Sequence, residues 1–178
     1  MGWRFDRVAY DGGAWWQVLT AQWVHFSWLH AGVNVLAAAV MVLAFRGLVD
    51  GRLQAVAVLG GYLGVAVVLV LDTGCAYYAG ASGALHGLLA GSALSLLVGA
   101  PLNAAPRVQS RTVAGLLLAG LAAKLLLQRL AGDPTAPGWL GMATYYPAHE
   151  AGAAGGLLAV LFTQAVFGRC LAQPGRRK

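Results

Sequence analysis

The stretch Gly80-Ala-Ser-Gly-Ala-Leu-His-Gly87 heads an apolar run and holds one hydroxyl, Ser82, between glycines. His86 follows four residues later, which places it on the same helical face. Two other apolar runs open with groups that complement it. In HFSWLHAGVN, starting at His25, His30 and Asn34 are again four apart, and YYPAHEAGAAGG, starting at Tyr145, carries His149 ahead of Gly152 and Gly156. Together these are the parts of an acyl-transfer site. A serine hydroxyl is a weak nucleophile until a base takes its proton, and His149 can be that base and then the acid that protonates a leaving amine. His30, Asn34 and the backbone N–H of Ser82 can donate to a developing oxyanion, while Gly80 and Gly83 leave room for a substrate backbone beside Ser82.

The elements that must position these groups follow from composition. Of 178 residues, 59% are hydrophobic and 10% charged, where soluble domains usually carry about a quarter charged residues. The apolar runs approach the roughly 20 residues that cross a hydrocarbon core as helix, the simplest way to satisfy backbone polar groups there. Five spanning helices are predicted, near Trp23 to Phe45, Leu53 to Leu71, Gly80 to Ala100, Thr112 to Ala131 and Tyr146 to Phe167. The reading is an all-α, polytopic transmembrane bundle forming one domain over residues 1–178. It has a polar segment over residues 1–22 and a basic tail over 168–178. Short connections rich in Gly, Pro, Asp and Asn join the helices, and no internal repeat is evident.

Charge gives an orientation. Arg46, Arg52, Arg107, Arg111, Arg169, Arg176, Arg177 and Lys178 fall on alternate connections, which the positive-inside rule makes cytoplasmic, and five of the six acids fall on the other side. The net charge of +6 therefore reports topology and points to a lipid bilayer, with no nucleic-acid site implied. Lys124 and Arg129 lie in the outer half of the fourth helix and are expected to snorkel outward. This orientation places residues 1–22 outside without a signal peptide, so a preceding helix is expected, or else unaided transfer of the segment. Cys75 and Cys170 fall on opposite sides and are not expected to pair. Ser82, His149, His30 and Asn34 share one shallow outer depth, where they can converge.

Structural readings compete with this one. Gly83, Gly87 and Gly91 form a small-residue stripe of the kind any close helix pair uses, and a short glycine-serine pattern recurs by chance. It is the conjunction of nucleophile, base and oxyanion donors on three helix starts that favours catalysis. Those residues resemble the rhomboid family of intramembrane serine proteases. That family has a histidine and an asparagine four apart, matched by His30 and Asn34, and a nucleophile in glycine-x-serine-glycine, matched by Gly80, Ser82 and Gly83. Its base precedes spaced glycines on the last core helix, matched by His149, Gly152 and Gly156. Coverage runs from about Trp15 to Phe167. The resemblance implies a serine-histidine dyad without a carboxylate, so Glu150 is left out, and it implies no cofactor or metal. It also implies membrane-anchored protein substrates and a multi-pass protein of the bacterial inner membrane with its active site towards the outer side.

The departures are informative. Trp16 matches the tryptophan of a tryptophan-arginine pair that supports the outer loop, but Gln17 stands where the arginine belongs. The family core has six helices, and the first has no counterpart in the five read here. A tyrosine that stacks on the base is replaced by His86, expected either to stack likewise or to bond a carbonyl one turn away. The GASGALHG form is similar to the rhombosortase branch, whose proposed substrates end in a glycine-glycine motif, an apolar helix and a basic tail. Water for deacylation requires a polar cavity, for which Ser27 and Gln22 are candidate linings, and the loop from Gly132 to Pro147 is a candidate cap. In a different class, His25, His30, His86 and His149 would ligate haem or a transition metal. In a third, the chain would be an inactive rhomboid-like protein that binds membrane clients.

Overall fold

The computed structural model describes residues 2–99, 107–131 and 144–171. Most of the candidate cap from Gly132 to Pro147 (residues 132–143), the connection over 100–106 and the tail from residue 172 lie outside the described residues. Five long helices cover the predicted stretches: α3 (Trp28–Phe45), α4 (Gly51–Leu71), α5 (Ser82–Val98), α6 (Arg107–Ala131) and α7 (Tyr146–Leu171). Among the described residues, three of them (α3, α4 and most of α6) are long and apolar enough to cross a membrane. The chain is a multi-pass membrane protein. Helix α5, with 17 residues, is shorter than that length and packs against α3, α4, α6 and α7.

Local chemistry moves three helix starts from their predicted positions. Helix α3 begins at Trp28 rather than Trp23, because the Ser27 side chain accepts the His30 N–H at 3.1 Å and caps it there. Asp50 caps α4 by accepting the Arg52 N–H at 2.8 Å. Gly80 has φ +124°, a conformation outside any helix and closed to other residues, so α5 starts at Ser82.

Glycines set the spacing of α4, α5 and α7. A Cβ on Gly87 would lie 2.8 Å from the Gly152 carbonyl oxygen, and one on Gly91 would lie 2.9 Å from that of Gly156. A Cβ on Gly152 or Gly156 would strike the carbonyls of Gly83 and Gly87, and one on Gly60 would meet Gly155 and Ala159 on α7. Without side chains in the way, the backbones come into direct contact, the means by which helices associate where lipid removes the hydrophobic drive. This corrects the role expected of Gly83. Its Cβ would meet Val65 and, at 2.7 Å, the Ala148 carbonyl, so Gly83 serves the seam with α4 and α7 and leaves no room for substrate.

The segment before α3 is ordered rather than a plain loop. Strand β1 (Phe5–Asp6) pairs antiparallel with β2 (Tyr77–Tyr78), and between β1 and α3 lie α1 (Arg7–Asp11), α2 (Gln17–Thr20) and a 3₁₀ turn at Ala21–Trp23. Phe5, fully buried, packs with Val18, Ala21, Val65, Leu69, Cys75, Tyr78 and Ala148. Arg7 donates to the carbonyls of Leu69, at 2.5 Å, and Asp72, at 2.8 Å, satisfying and charge-stabilising the end of α4. Gln17, at the position of the missing arginine, is buried and accepts the Asp6 N–H at 3.0 Å. The segment is anchored, with Arg7 supplying the guanidinium from another position.

Candidate active site

The turn before α5 aims the serine. Gly80 N–H donates to the Ala21 carbonyl at 3.0 Å, and its own carbonyl accepts the Tyr78 hydroxyl at 2.9 Å. Tyr78 is buried, and burial holds its phenol well above its usual range, so it stays a donor. With the turn fixed on both sides, Ser82 becomes the first residue of α5, and its Oγ lies 2.9 Å from His149 Nε2 in the first turn of α7. His149 is 6% exposed, which screens the contact from bulk water.

The His86 ring lies on that of His149, with centroids 4.2 Å apart and planes inclined by 13°. It also reaches the Ser82 carbonyl through Nδ1 at 2.6 Å, so both roles expected for it are filled at once. Because a carbonyl only accepts, Nδ1 carries the proton, and Nε2 is left to accept from Lys124 Nζ at 3.0 Å. Lys124 also donates to Gln128 Oε1 at 3.1 Å, and Gln128 Oε1 lies 3.2 Å from His149 Nδ1. This corrects the expectation that Lys124 snorkels away: its ammonium turns into the site, where two acceptors replace water. Arg129 instead pairs with Glu150 at 3.2 Å, so Glu150 faces α6 rather than the Ser82–His149 contact.

His30 and Asn34, both buried, sit against the same turn from α3. A Cβ on Gly80 would lie 2.6 Å from His30 Cε1 and 3.7 Å from Asn34 Nδ2, a second reason for glycine there. Asn34 also donates to the His30 carbonyl at 3.1 Å. The structure thus brings Ser82 and His149 together, stacks His86 on them and seats His30 and Asn34 against Gly80, two residues upstream. Gly152 supports from the seam. Trp16 does not join this group; its indole donates to the Gly2 carbonyl at 3.1 Å and packs on Trp15. Nor do the expected cavity linings: Ser27 is a helix cap, and Gln22 donates to the Tyr62 carbonyl at 2.9 Å.

Sequence reasoning missed Tyr78, Lys124 and Gln128. The signal for the last two was present: two polar groups four apart on one face of an apolar helix, in its second half. The histidines form two pairs, His25 with His30 at 4.9 Å and His86 with His149. Both nitrogens of His86 and of His149 already have protein partners, an arrangement that suits proton transfer better than metal ligation.

No curated protein and no solved structure matches the chain. A family model, that of the Rhomboid domain, matches residues 12–166, a span that takes in every helix start that builds the site. A multi-pass helical bundle with a glycine-flanked serine bonded to a histidine on its last helix agrees with that match, and the chain belongs to the rhomboid family of intramembrane serine proteases.

Proposed function

We propose that the chain is an active intramembrane endopeptidase in which Ser82 is the nucleophile and His149 its general base. The observation that carries the reading is the 2.9 Å contact between Ser82 Oγ and His149 Nε2, with the serine at a helix start and the histidine buried. As Ser82 Oγ attacks the scissile carbonyl carbon, its proton passes to His149 Nε2 and the carbonyl oxygen becomes an oxyanion. The Ser82 N–H, His30 and Asn34 are the donors proposed for that charge. Collapse breaks the C–N bond, and His149 returns the proton to the leaving amine. Water, deprotonated by His149, then attacks the acyl-serine, and Ser82 recovers its hydroxyl proton. The step therefore requires a free lone pair on His149 Nε2.

The substrates are proposed to be membrane anchors of exported proteins, with glycine-glycine sorting tails of the rhombosortase type as the first to test. The support is the GASGALHG form of the nucleophile motif, with His86 stacked where the wider family has tyrosine. The site is proposed to face the outer side of a bacterial inner membrane, with Lys178 cytoplasmic, in keeping with the cation bias of the connections. The test is cleavage of a membrane-anchored reporter carrying glycine-glycine, an apolar helix and a basic tail. Cleavage by the native chain and none by Ser82→Ala supports the proposal. Equal cleavage by both refutes the mechanism, whereas cleavage of other anchors but not of this tail refutes the substrate class alone.

A further inference from the structure

His149 can accept a proton from Ser82 only in the tautomer that carries its own proton on Nδ1, and the two tautomers of a free imidazole compete. Something must choose between them. Gln128 Oε1 lies 3.2 Å from His149 Nδ1, and Gln128 is 6% exposed. An amide can present either oxygen or NH₂, and the two ends look alike in shape. Lys124 removes the ambiguity, because an ammonium only donates, and it lies 3.1 Å from that atom. The end facing Lys124 is the oxygen. An oxygen facing His149 Nδ1 in turn requires a proton there, leaving the Nε2 lone pair aimed at Ser82 Oγ.

We infer that Gln128, held by Lys124, is a positioning residue that fixes the tautomer and ring orientation of His149. The inference rests on the reading of Ser82 and His149 as nucleophile and base. Lys124 acts on both stacked rings, since its second bond, to His86 Nε2, commits the His86 proton to Nδ1 and so to the Ser82 carbonyl. The two imidazoles therefore carry their protons on the same atom for the same reason. A neutral amide does the orienting that a carboxylate performs in a catalytic triad. Lys124 and Gln128 are one turn apart on α6, so a single helix face delivers the whole device.

The test uses the full chain in detergent, with side-chain ¹⁵N NMR of the histidines to report tautomers and reporter cleavage to separate kcat from KM. The native spectrum is expected to show His149 protonated on Nδ1. Gln128→Leu should show a tautomer mixture at His149 and a kcat lower by about 10- to 100-fold at unchanged KM, the scale of one buried hydrogen bond. Gln128→Glu, which keeps an acceptor oxygen, should restore the single tautomer and most of kcat. A purely structural role would move stability without moving the tautomer. If Gln128→Leu does not fold, Lys124→Met, at an exposed position, carries the same measurement. A mixed tautomer there supports the inference and an unchanged one overturns it. Native His149 protonated on Nε2, or Gln128→Leu with native kcat and tautomer, also overturns it. A native chain that neither cleaves nor takes a fluorophosphonate label refutes the protease reading itself, whatever the spectra show.

Discussion

Helix α5 meets α7 and α6 by different means. Against α7 the contact is backbone on backbone, through Gly83, Gly87 and Gly91 on one side and Gly152 and Gly156 on the other. Against α6 there is no glycine seam: a Cβ on Gly115 or Gly120 would meet nothing, and the long side chain of Lys124 reaches His86 on α5 while Gln128, one turn on, reaches His149 on α7. The first seam has no side-chain freedom, so it sets where Ser82 stands relative to His149. The second is adjustable in position but exacting in hydrogen bonds, so it sets which protons the histidines carry. Geometry and protonation are thereby assigned to different neighbours of one helix.

The largest effect is expected at the rigid seam. A side chain at Gly152 would run into the Gly83 backbone, which cannot swing aside. Overpacking costs about 1–3 kcal/mol even where neighbours can yield, so Gly152→Val should give little folded protein by size exclusion and thermal unfolding in detergent. A Gly152→Val chain with native Tm would break the contrast between the seams.

Asn34 lies on α3, outside both seams, and its removal should separate chemistry from assembly. Asn34→Ala is expected to fold, to keep the His149 tautomer and to lose about 10- to 100-fold in kcat, somewhat less than a sole oxyanion donor because others remain. An unchanged kcat would remove Asn34 from the oxyanion set.

A smaller change is expected at His86, where the two seams overlap. His86→Tyr keeps a ring over His149 but gives up the bond to the Ser82 carbonyl. Cleavage should persist, with a loss of no more than about tenfold, the scale of one net hydrogen bond. Abolished cleavage in a folded variant would give His86 a direct part in the chemistry.

The smallest effect concerns a tie outside both seams, between the end of α4 and the start of α7, where the Tyr145 hydroxyl donates to Asp72. That bond, together with the Gly74 N–H, lowers the Asp72 pKa below its ordinary 3.8. A lowered carboxylate pKa stabilises the fold fully above the ordinary value, and the contribution is lost as pH falls through the lowered one. Tyr145→Phe should therefore reduce Tm slightly at neutral pH and not at all at strongly acidic pH. A difference that persists in acid would assign the tie to packing.

Much of this was legible in the residues. The helix starts at Ser82 and His149 could be located because glycine, serine and histidine stand out in apolar runs where ionisable groups are costly. The glycine stripe read as packing is packing, and here Gly83 was misread, since residue type alone does not say which neighbour a missing side chain admits. Lys124 was misread for a related reason: a lysine near a helix end snorkels unless acceptors wait for it, and those acceptors, His86 and Gln128, lie on a helix 38 residues away and one turn along. The ordered segment before α3 was missed because its two-residue strand is too short to show alternation, and its stability comes from Phe5, Gln17 and Arg7 meeting residues distant in sequence.

The central claim is tested most directly by covalent capture of the nucleophile. The purified chain is treated with a fluorophosphonate probe and digested, and the adduct is located by mass spectrometry. The account predicts one adduct, on Ser82, absent from Ser82→Ala and strongly reduced in His149→Ala, in which the serine has lost its base. Labelling that persists in Ser82→Ala, or an adduct on another residue of the folded native chain, would contradict it.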